Sequence, residues 1–271
     1  MFEIEGKYTK AKIFTNNIEE GALEQVYNVC SNPAFENSNI AIMSDVHKGA
    51  GICIGFTGEL TNKVIPNVVG VDIGCGMHII ELGDININLK ALDNYIKENI
   101  PSGFEYYENP EVDLPLEVQK VIDDLNLNYI NHLSKLGTLG GGNHFIEIDV
   151  DKDNNKYLII HSGSRNFGYK VARYYQNKTK EQYQNRIRDK INNKIKKLKK
   201  EGKEQFIENE IQKIKNNKPD INKSLMYLTG KLKDKYLRDM KIAQKYAKIN
   251  RRVIGNKILN HLGILKDINK W

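Results

Sequence analysis

Asp72 and Cys75 stand three residues apart in Val69-Gly70-Val71-Asp72-Ile73-Gly74-Cys75-Gly76-Met77, across a turn that directs a carboxylate and a thiolate at one point. Two further segments set ligating atoms among small residues: Gly140-Gly141-Gly142-Asn143-His144-Phe145-Ile146-Glu147 and His161-Ser162-Gly163-Ser164-Arg165. Glycine builds cores poorly but lets backbone approach a ligand closely. Three such breaks, carrying Asp72, Cys75, His144 and His161, read as one site assembled from distant loops. A thiolate with carboxylate and imidazole ligands suits a divalent first-row metal, zinc first by softness and then manganese or iron. The spacing is not the paired pattern of a structural zinc site, so the site reads as catalytic. Ser162-Gly163-Ser164-Arg165 adds backbone N–H groups, hydroxyls and a guanidinium fork able to hold phosphate. Metal beside phosphate-binding groups points to phosphoryl or nucleotidyl transfer.

Each residue alone has a plainer account. Cys75 alone reads as an inert buried thiol, His144 or His161 alone as a core histidine, and Asp45 with His47 as a capped turn. Together, flanked by Asn143, Glu147 and Arg165, they require too many coincidences. Cys30, Cys53, His78, His132 and His261 have no comparable setting and are read as structural.

The ligands must be positioned by strand ends and the loops beside them. A helix is expected over Glu19–Cys30 with Leu23, Val26 and Tyr27 on one face. Strands are expected at Ile40–Met43, Ile52–Phe56, Val64–Val71 (with Pro66 marking an edge or a bulge) and Met77–Leu82. Helices follow over about Leu89–Asn99 and Leu116–Leu136, then paired strands Phe145–Val150 and Tyr157–Ile160 around a turn at 151–155. From Val171 to Asn216 the chain reads as a charged helical hairpin turning near Gly202, with Ile187, Ile191, Ile195 and Leu198 as an apolar stripe. Pro219 ends it, and a last helix runs over about Leu225–Leu262. The expected class is α+β: a mixed-sheet core over residues 1–168, and a basic helical arm over 169–271 belonging to the same domain.

The net charge of +7 hides an asymmetry. Residues 1–160 carry 11 Lys and Arg against 24 Asp and Glu, whereas residues 161–271 carry 30 against 10. An excess confined to one half is the footprint of a polyanion partner, though a lysine-rich solvated helix has the same composition. No stretch is apolar enough to span a bilayer, the N-terminus lacks a secretory pattern, and three cysteines argue against a disulfide framework. A cytoplasmic protein with no membrane partner is expected.

Asp45-Val46-His47-Lys48-Gly49, Gly70-Val71-Asp72-Ile73-Gly74-Cys75-Gly76, Gly142-Asn143-His144-Phe145-Ile146-Glu147 and His161-Ser162-Gly163-Ser164-Arg165 resemble, in order and spacing, four successive signatures of the RtcB family of RNA ligases. Tyr246-Ala247-Lys248-Ile249-Asn250-Arg251 resembles a helix late in the family's middle region. The resemblance implies joining of a 2′,3′-cyclic phosphate or 3′-phosphate RNA end to a 5′-hydroxyl end with GTP and one or two manganese ions. It implies that Asp72, Cys75, His144 and His161 ligate manganese, and that Asn143 and His144 lie at the metal and the GMP phosphate. It further implies that Glu147 recognises guanine, that Arg165 and Asn143 hold RNA phosphate, and that Asp45 and His47 form an adjoining shell. In the family a later histidine becomes guanylylated. This sequence runs to Trp271 without that motif, Asn260-His261 having the reverse order of a family His-Asn pair, and Asn166-Phe167 stand where glycine is usual. The expectation is an incomplete ligase whose missing portion is either supplied by a second polypeptide or lost from a longer gene, with archease as a further partner. Two rivals are a metal- and RNA-binding regulator without ligase activity and a metal-dependent cyclic-phosphate phosphodiesterase.

Overall fold

The computed structural model describes residues 1–217 and 221–264, and its helices and mixed sheets form an α+β fold. Pro219 lies outside the described residues. Strands β1 (Phe2–Glu5) and β2 (Lys10–Ile13) precede helix α1 (Glu20–Cys30). That helix buries Ala22, Val26, Val29 and Cys30, whereas Tyr27, expected on the inner face, is 54 % exposed. Tyr27 lies about 100° around the helix from Val26, and the smaller Ala22 takes the core position. Strand β3 (Ile40–His47) outruns the expected apolar segment, and its register against β4 (Ile54–Gly58) is irregular between Ile42 and His47.

The strand expected over Val64–Val71 is overturned. Only β5 (Lys63–Val64) is extended, and α2 (Pro66–Val69) follows with proline in its first turn. There the missing N–H costs nothing and the fixed φ suits a helix. Strand β6 (Gly76–Gly83) leads to α3 (Leu89–Asn99), capped by Asn88, whose Oδ1 accepts from the Ala91 N–H at 3.1 Å. The long helix expected over Leu116–Leu136 is two, α4 (Leu116–Asp124) and α5 (Tyr129–Leu133). Asn126 at φ 51° ends the first, and Asn128 caps the second by accepting from the Asn131 N–H.

Strands β7 (Phe145–Val150) and β8 (Lys156–Ser162) pair antiparallel. Their turn is held by the Asp151 carboxylate, which accepts from the Asp153 and Asn155 N–H groups at 2.9 Å each. Helix α6 (Arg165–Lys200) begins six residues before the expected Val171. It ends where Gly202, at φ 66°, donates to Lys199 O and the Lys203 N–H reaches Leu198 O, a left-handed cap that closes the last turn. Helix α7 (Ile207–Asn216) completes the hairpin. In place of a helix starting at Leu225, β9 (Leu228–Thr229) pairs with β5, and α8 (Gly230–His261) follows.

The chain divides into two compact units, Met1–Gly70 with Tyr174–Lys235, and Val71–Arg173 with the chain from Tyr236 onward. The first holds a sheet of order β1-β2-β3-β4, in which β2 runs parallel to β3. Its core gathers Ile13, Val26, Cys30 and Ile42. The second holds the antiparallel sheet β6-β8-β7. Alternation along its strands sends Ile80, Leu158 and Ile160 toward Ile254, Ile258 and Leu259 of α8. Each such fully buried aliphatic side chain contributes roughly 2 kcal/mol. The opposite face carries Met77, His161 and Phe145, aligned across β6, β8 and β7 in one row. Among the described residues no helix is long and apolar enough to cross a membrane.

Candidate metal centre

Four of the expected ligands meet at one end of the second unit's sheet. Asp72 and Cys75 lie in the turn entering β6, His144 immediately precedes β7, and His161 sits near the end of β8. Cys75 Sγ is 3.6 Å from His144 Nε2 and 3.3 Å from His161 Nε2. His144 Nε2 is 3.0 Å from Asp72 Oδ2. The ligating atoms of Asp72, Cys75 and His144 all lie within 4.8 Å of one another.

The turn is built to do this. The Cys75 N–H donates to Asp72 O at 3.3 Å, so both side chains leave the same side of a tight loop. Gly163 lies directly against Asp72, and a Cβ there would overlap the carboxylate. Only glycine at that position admits Asp72 to the cluster.

The imidazoles are oriented from behind. His144 Nδ1 lies 2.9 Å from Leu139 O, so the Nδ1–H donates to that carbonyl and Nε2 turns toward Asp72 and Cys75. A carbonyl behind one ring nitrogen is the usual way a protein fixes the tautomer of a ligating histidine. His161 Nδ1 faces Met77 Sδ at 3.2 Å, and the ring stacks on Phe145 with centroids 5.4 Å apart. The His144 side chain is 5 % exposed and that of Asp72 39 %, so the cluster opens toward solvent on the Asp72 side.

The donor set fits a divalent metal. With Nδ1–H committed to Leu139, a neutral His144 presents a lone pair to the Asp72 carboxylate at 3.0 Å. Two acceptors at that separation require a cation between them, either a proton or a metal ion. Ligand atoms bonded to one ion at about 2.0–2.3 Å stand roughly 3.0–3.7 Å apart, the range spanned by the three contacts. One thiol, one carboxylate and two imidazoles match a first-row divalent ion better than calcium or magnesium.

The electrostatics are those of a partly buried anionic pocket. Burial pushes the Cys75 thiol up to about 11, and the neighbouring Asp72 charge adds to the shift. Burial also works against the Asp72 carboxylate, but its contacts with His144, Cys75 and the Ser164 N–H outweigh it and hold its pKa below the ordinary value. His161 is lowered by burial, then by His144 and Arg251.

Helix α8 supplies the clasp, which was not foreseen. The buried Asn250 amide donates to Thr138 O at 3.0 Å and Ser162 Oγ at 3.1 Å, and its oxygen accepts from the Gly137 N–H at 2.8 Å. Arg251 Nη1 donates to Gly74 O at 2.8 Å and Ser162 O at 2.6 Å. Ser162 Oγ donates to Leu139 O at 2.7 Å, the same carbonyl that orients His144. Two adjacent residues thus tie together the loops that carry Cys75, His144 and His161. The sequence signal was the resemblance of Tyr246-Ala247-Lys248-Ile249-Asn250-Arg251 to a family helix, which gave neither residue a role.

Arg165 is half-buried at the start of α6, in the left-handed region at φ 52°, which non-glycine residues seldom occupy. Its Nε donates to Thr138 Oγ1 at 3.0 Å and its Nη2 to Gly103 O at 3.1 Å, which anchors the guanidinium on the glycine loop beside His144. Asn143 and Glu147 are both exposed, Glu147 on the sheet face that carries His161. Phe167 is fully buried against His132 and Tyr246, and Asn166 donates to Asn131 Oδ1. Asp45 and His47 lie on β3 of the first unit, where His47 Nδ1 contacts Asp45 O at 2.9 Å. Cys30 and Cys53 are buried in the core, and His261 stacks on Tyr95 at 3.9 Å.

A family profile described as tRNA-splicing ligase RtcB matches residues 25–268. The chain is 35% identical over 182 residues to the RNA-splicing ligase RtcB of Escherichia coli K12, covering 58% of this chain and 44% of that protein. It is 28% identical over 227 residues to the tRNA-splicing ligase RtcB of Methanococcus maripaludis, covering 63% and 47%. With the tRNA-splicing ligase RtcB of Nanoarchaeum equitans it shares 28% over 222 residues, covering 62% and 46%. The chain thus spans just under half the length of these relatives.

Proposed function

The chain belongs to the RtcB family, and on that premise we propose that it provides the metal-binding half of an RNA ligase. The ligase joins a 2′,3′-cyclic phosphate or 3′-phosphate RNA end to a 5′-hydroxyl end with GTP and manganese. The observation that carries this is the convergence of Asp72, Cys75, His144 and His161, with Arg165 anchored beside them. One or two manganese ions held by those four residues would stabilise negative charge on the transferring phosphoryl group.

The chain's own residues bind and orient. Leu139 O and the stacked Phe145 fix the two imidazoles, so the ligands need no reorganisation when charge develops. Arg165, immobilised through Nε and Nη2, directs its remaining N–H groups at an RNA phosphate. Asn143, next to His144, takes the nucleotide phosphate, and the Glu147 carboxylate accepts hydrogen bonds from guanine. A covalent nucleotide intermediate also needs a nucleophile within reach of the α-phosphate. None of the six histidines here stands in the family's guanylylation motif. In this reading the covalent histidine belongs to another part of the ligase, and archease acts on the assembled enzyme.

Binding of two RNAs that differ only at the 3′ end tests the proposal. With manganese, the 3′-phosphate RNA should bind at least tenfold more tightly than the 3′-hydroxyl RNA, and the preference should vanish in Cys75→Ala. Equal affinities would overturn it. Opening of a cyclic-phosphate end by the chain alone would favour a phosphodiesterase instead.

A further inference from the structure

Helix α6 carries thirteen Lys and Arg against two acidic residues, and the charges are sorted around it. Ile187, Ile191, Ile195 and Leu198 recur at four- and three-residue spacing and are withdrawn from solvent. On the flanks cations meet carboxylates. Lys194 and Lys213 share Glu210 of α7 at 2.7 and 2.8 Å, Lys203 pairs with Glu201 at 3.1 Å, and Lys178 with Glu181 at 2.6 Å.

The outward stripe differs. Asn185, Arg188, Asn192, Lys196 and Lys199 follow at spacings of three and four residues, and all five are exposed. That spacing stacks side chains on one helical face. The stripe runs about 21 Å at 1.5 Å per residue. It offers one guanidinium, two ammonium groups and two amides, and its only acidic neighbour within α6 besides the paired Glu181 is Asp189 at its edge.

We propose that this stripe is an RNA-docking surface that tracks the phosphate backbone independently of the metal centre. Arg188 forks onto one phosphate, Lys196 and Lys199 neutralise others, and the amides of Asn185 and Asn192 donate between them. Nothing in the stripe reads a base or an end group, so its binding is indifferent to sequence and to end chemistry. That the polyanion is RNA rests on the ligase reading, whereas the charge pattern stands without it.

The test uses the whole chain, a fluorescent single-stranded RNA with 3′-hydroxyl ends, and no manganese. Affinity is measured across a salt series for wild type, for Arg188→Gln/Lys196→Gln/Lys199→Gln, and for Lys12→Gln/Lys90→Gln/Lys120→Gln, a control with the same loss of charge. Each neutralised phosphate on a single strand contributes about −0.7 to the slope of log affinity against log salt. The stripe variant should flatten the slope by about two and weaken low-salt binding at least tenfold, while the control stays at wild type. Equal slopes for the two variants would overturn the proposal, as would binding to phosphatidylserine vesicles with none to RNA. Because this RNA lacks the phosphate end and manganese is absent, failure here leaves the end preference untouched, and loss of the end preference leaves the stripe in place.

Discussion

The Asn250 side chain reaches Ser162 Oγ at 3.1 Å across 88 residues of sequence, and Ser162 in turn donates to the Leu139 carbonyl that orients His144. A helix residue outside the cluster thereby sets the direction of an imidazole within it. Replacing Asn250 with Leu leaves the Gly137 N–H and Thr138 O buried without these partners. Unmade buried hydrogen bonds cost about 1–3 kcal/mol each, so Asn250→Leu should lower stability by about 2–4 kcal/mol in urea unfolding. Disordering the groups behind a ligand weakens metal binding by about 10- to 100-fold, which calorimetric titration with manganese would read. Wild-type affinity in a folded Asn250→Leu would refute the positioning role.

Gly163→Ala separates packing from ligation. The added methyl overlaps Asp72, whose side chain is 39 % exposed and swings outward at little cost to the fold. Thermal unfolding should barely move, while manganese affinity falls about tenfold or more. A large loss of stability with unchanged affinity would show that Gly163 serves the backbone alone.

His132 is 2 % exposed, packed edge-on against Phe167, and its Nδ1 has no hydrogen-bond partner among the described residues. Burial, reinforced by Lys135 and Lys170, lowers its pKa from 6.5 to about 4. Between those values the unfolded chain binds a proton that the folded chain refuses, so this contribution to stability is complete above pH 6.5 and declines as pH falls toward 4. The loss amounts to roughly 3 kcal/mol. Urea unfolding across that window should show a shallower pH dependence for His132→Leu than for wild type. Parallel curves would mean that His132 does not titrate in this way.

Incubation with labelled GTP and manganese tests whether any of the six histidines of this sequence becomes guanylylated. The isolated chain should remain unlabelled after denaturing electrophoresis. A manganese-dependent labelled band at 31.1 kDa would place the nucleophile among the chain's own histidines.

Much of the Asp72, Cys75, His144 and His161 cluster was legible because each of these residues lies within two positions of a glycine where an apolar run breaks, as Cys75 does between Gly74 and Gly76. Strand β7 and helix α3 were readable to the residue, the strand from the turn at 151–155 that bounds it and the helix from its helical pattern. Asn250 and Arg251 were not, because a polar pair on a helix looks the same whether it meets water or buried carbonyls. The apolar run from Val64 to Val71 carries no period that separates strand from helix, and Pro66 resolved it toward a helix. In the span Leu116–Leu136 the helical period continues through Asn126, whose left-handed conformation leaves no mark on hydrophobic spacing.

The central claim is that four residues from three loops hold one metal centre. Anomalous scattering from crystals grown with manganese tests it most directly. The account predicts a peak within about 2.0–2.5 Å of the Asp72 carboxylate, Cys75 Sγ and the Nε2 atoms of His144 and His161, with that peak lost in Cys75→Ala. A manganese peak elsewhere on the chain, with none among these four side chains, would contradict it.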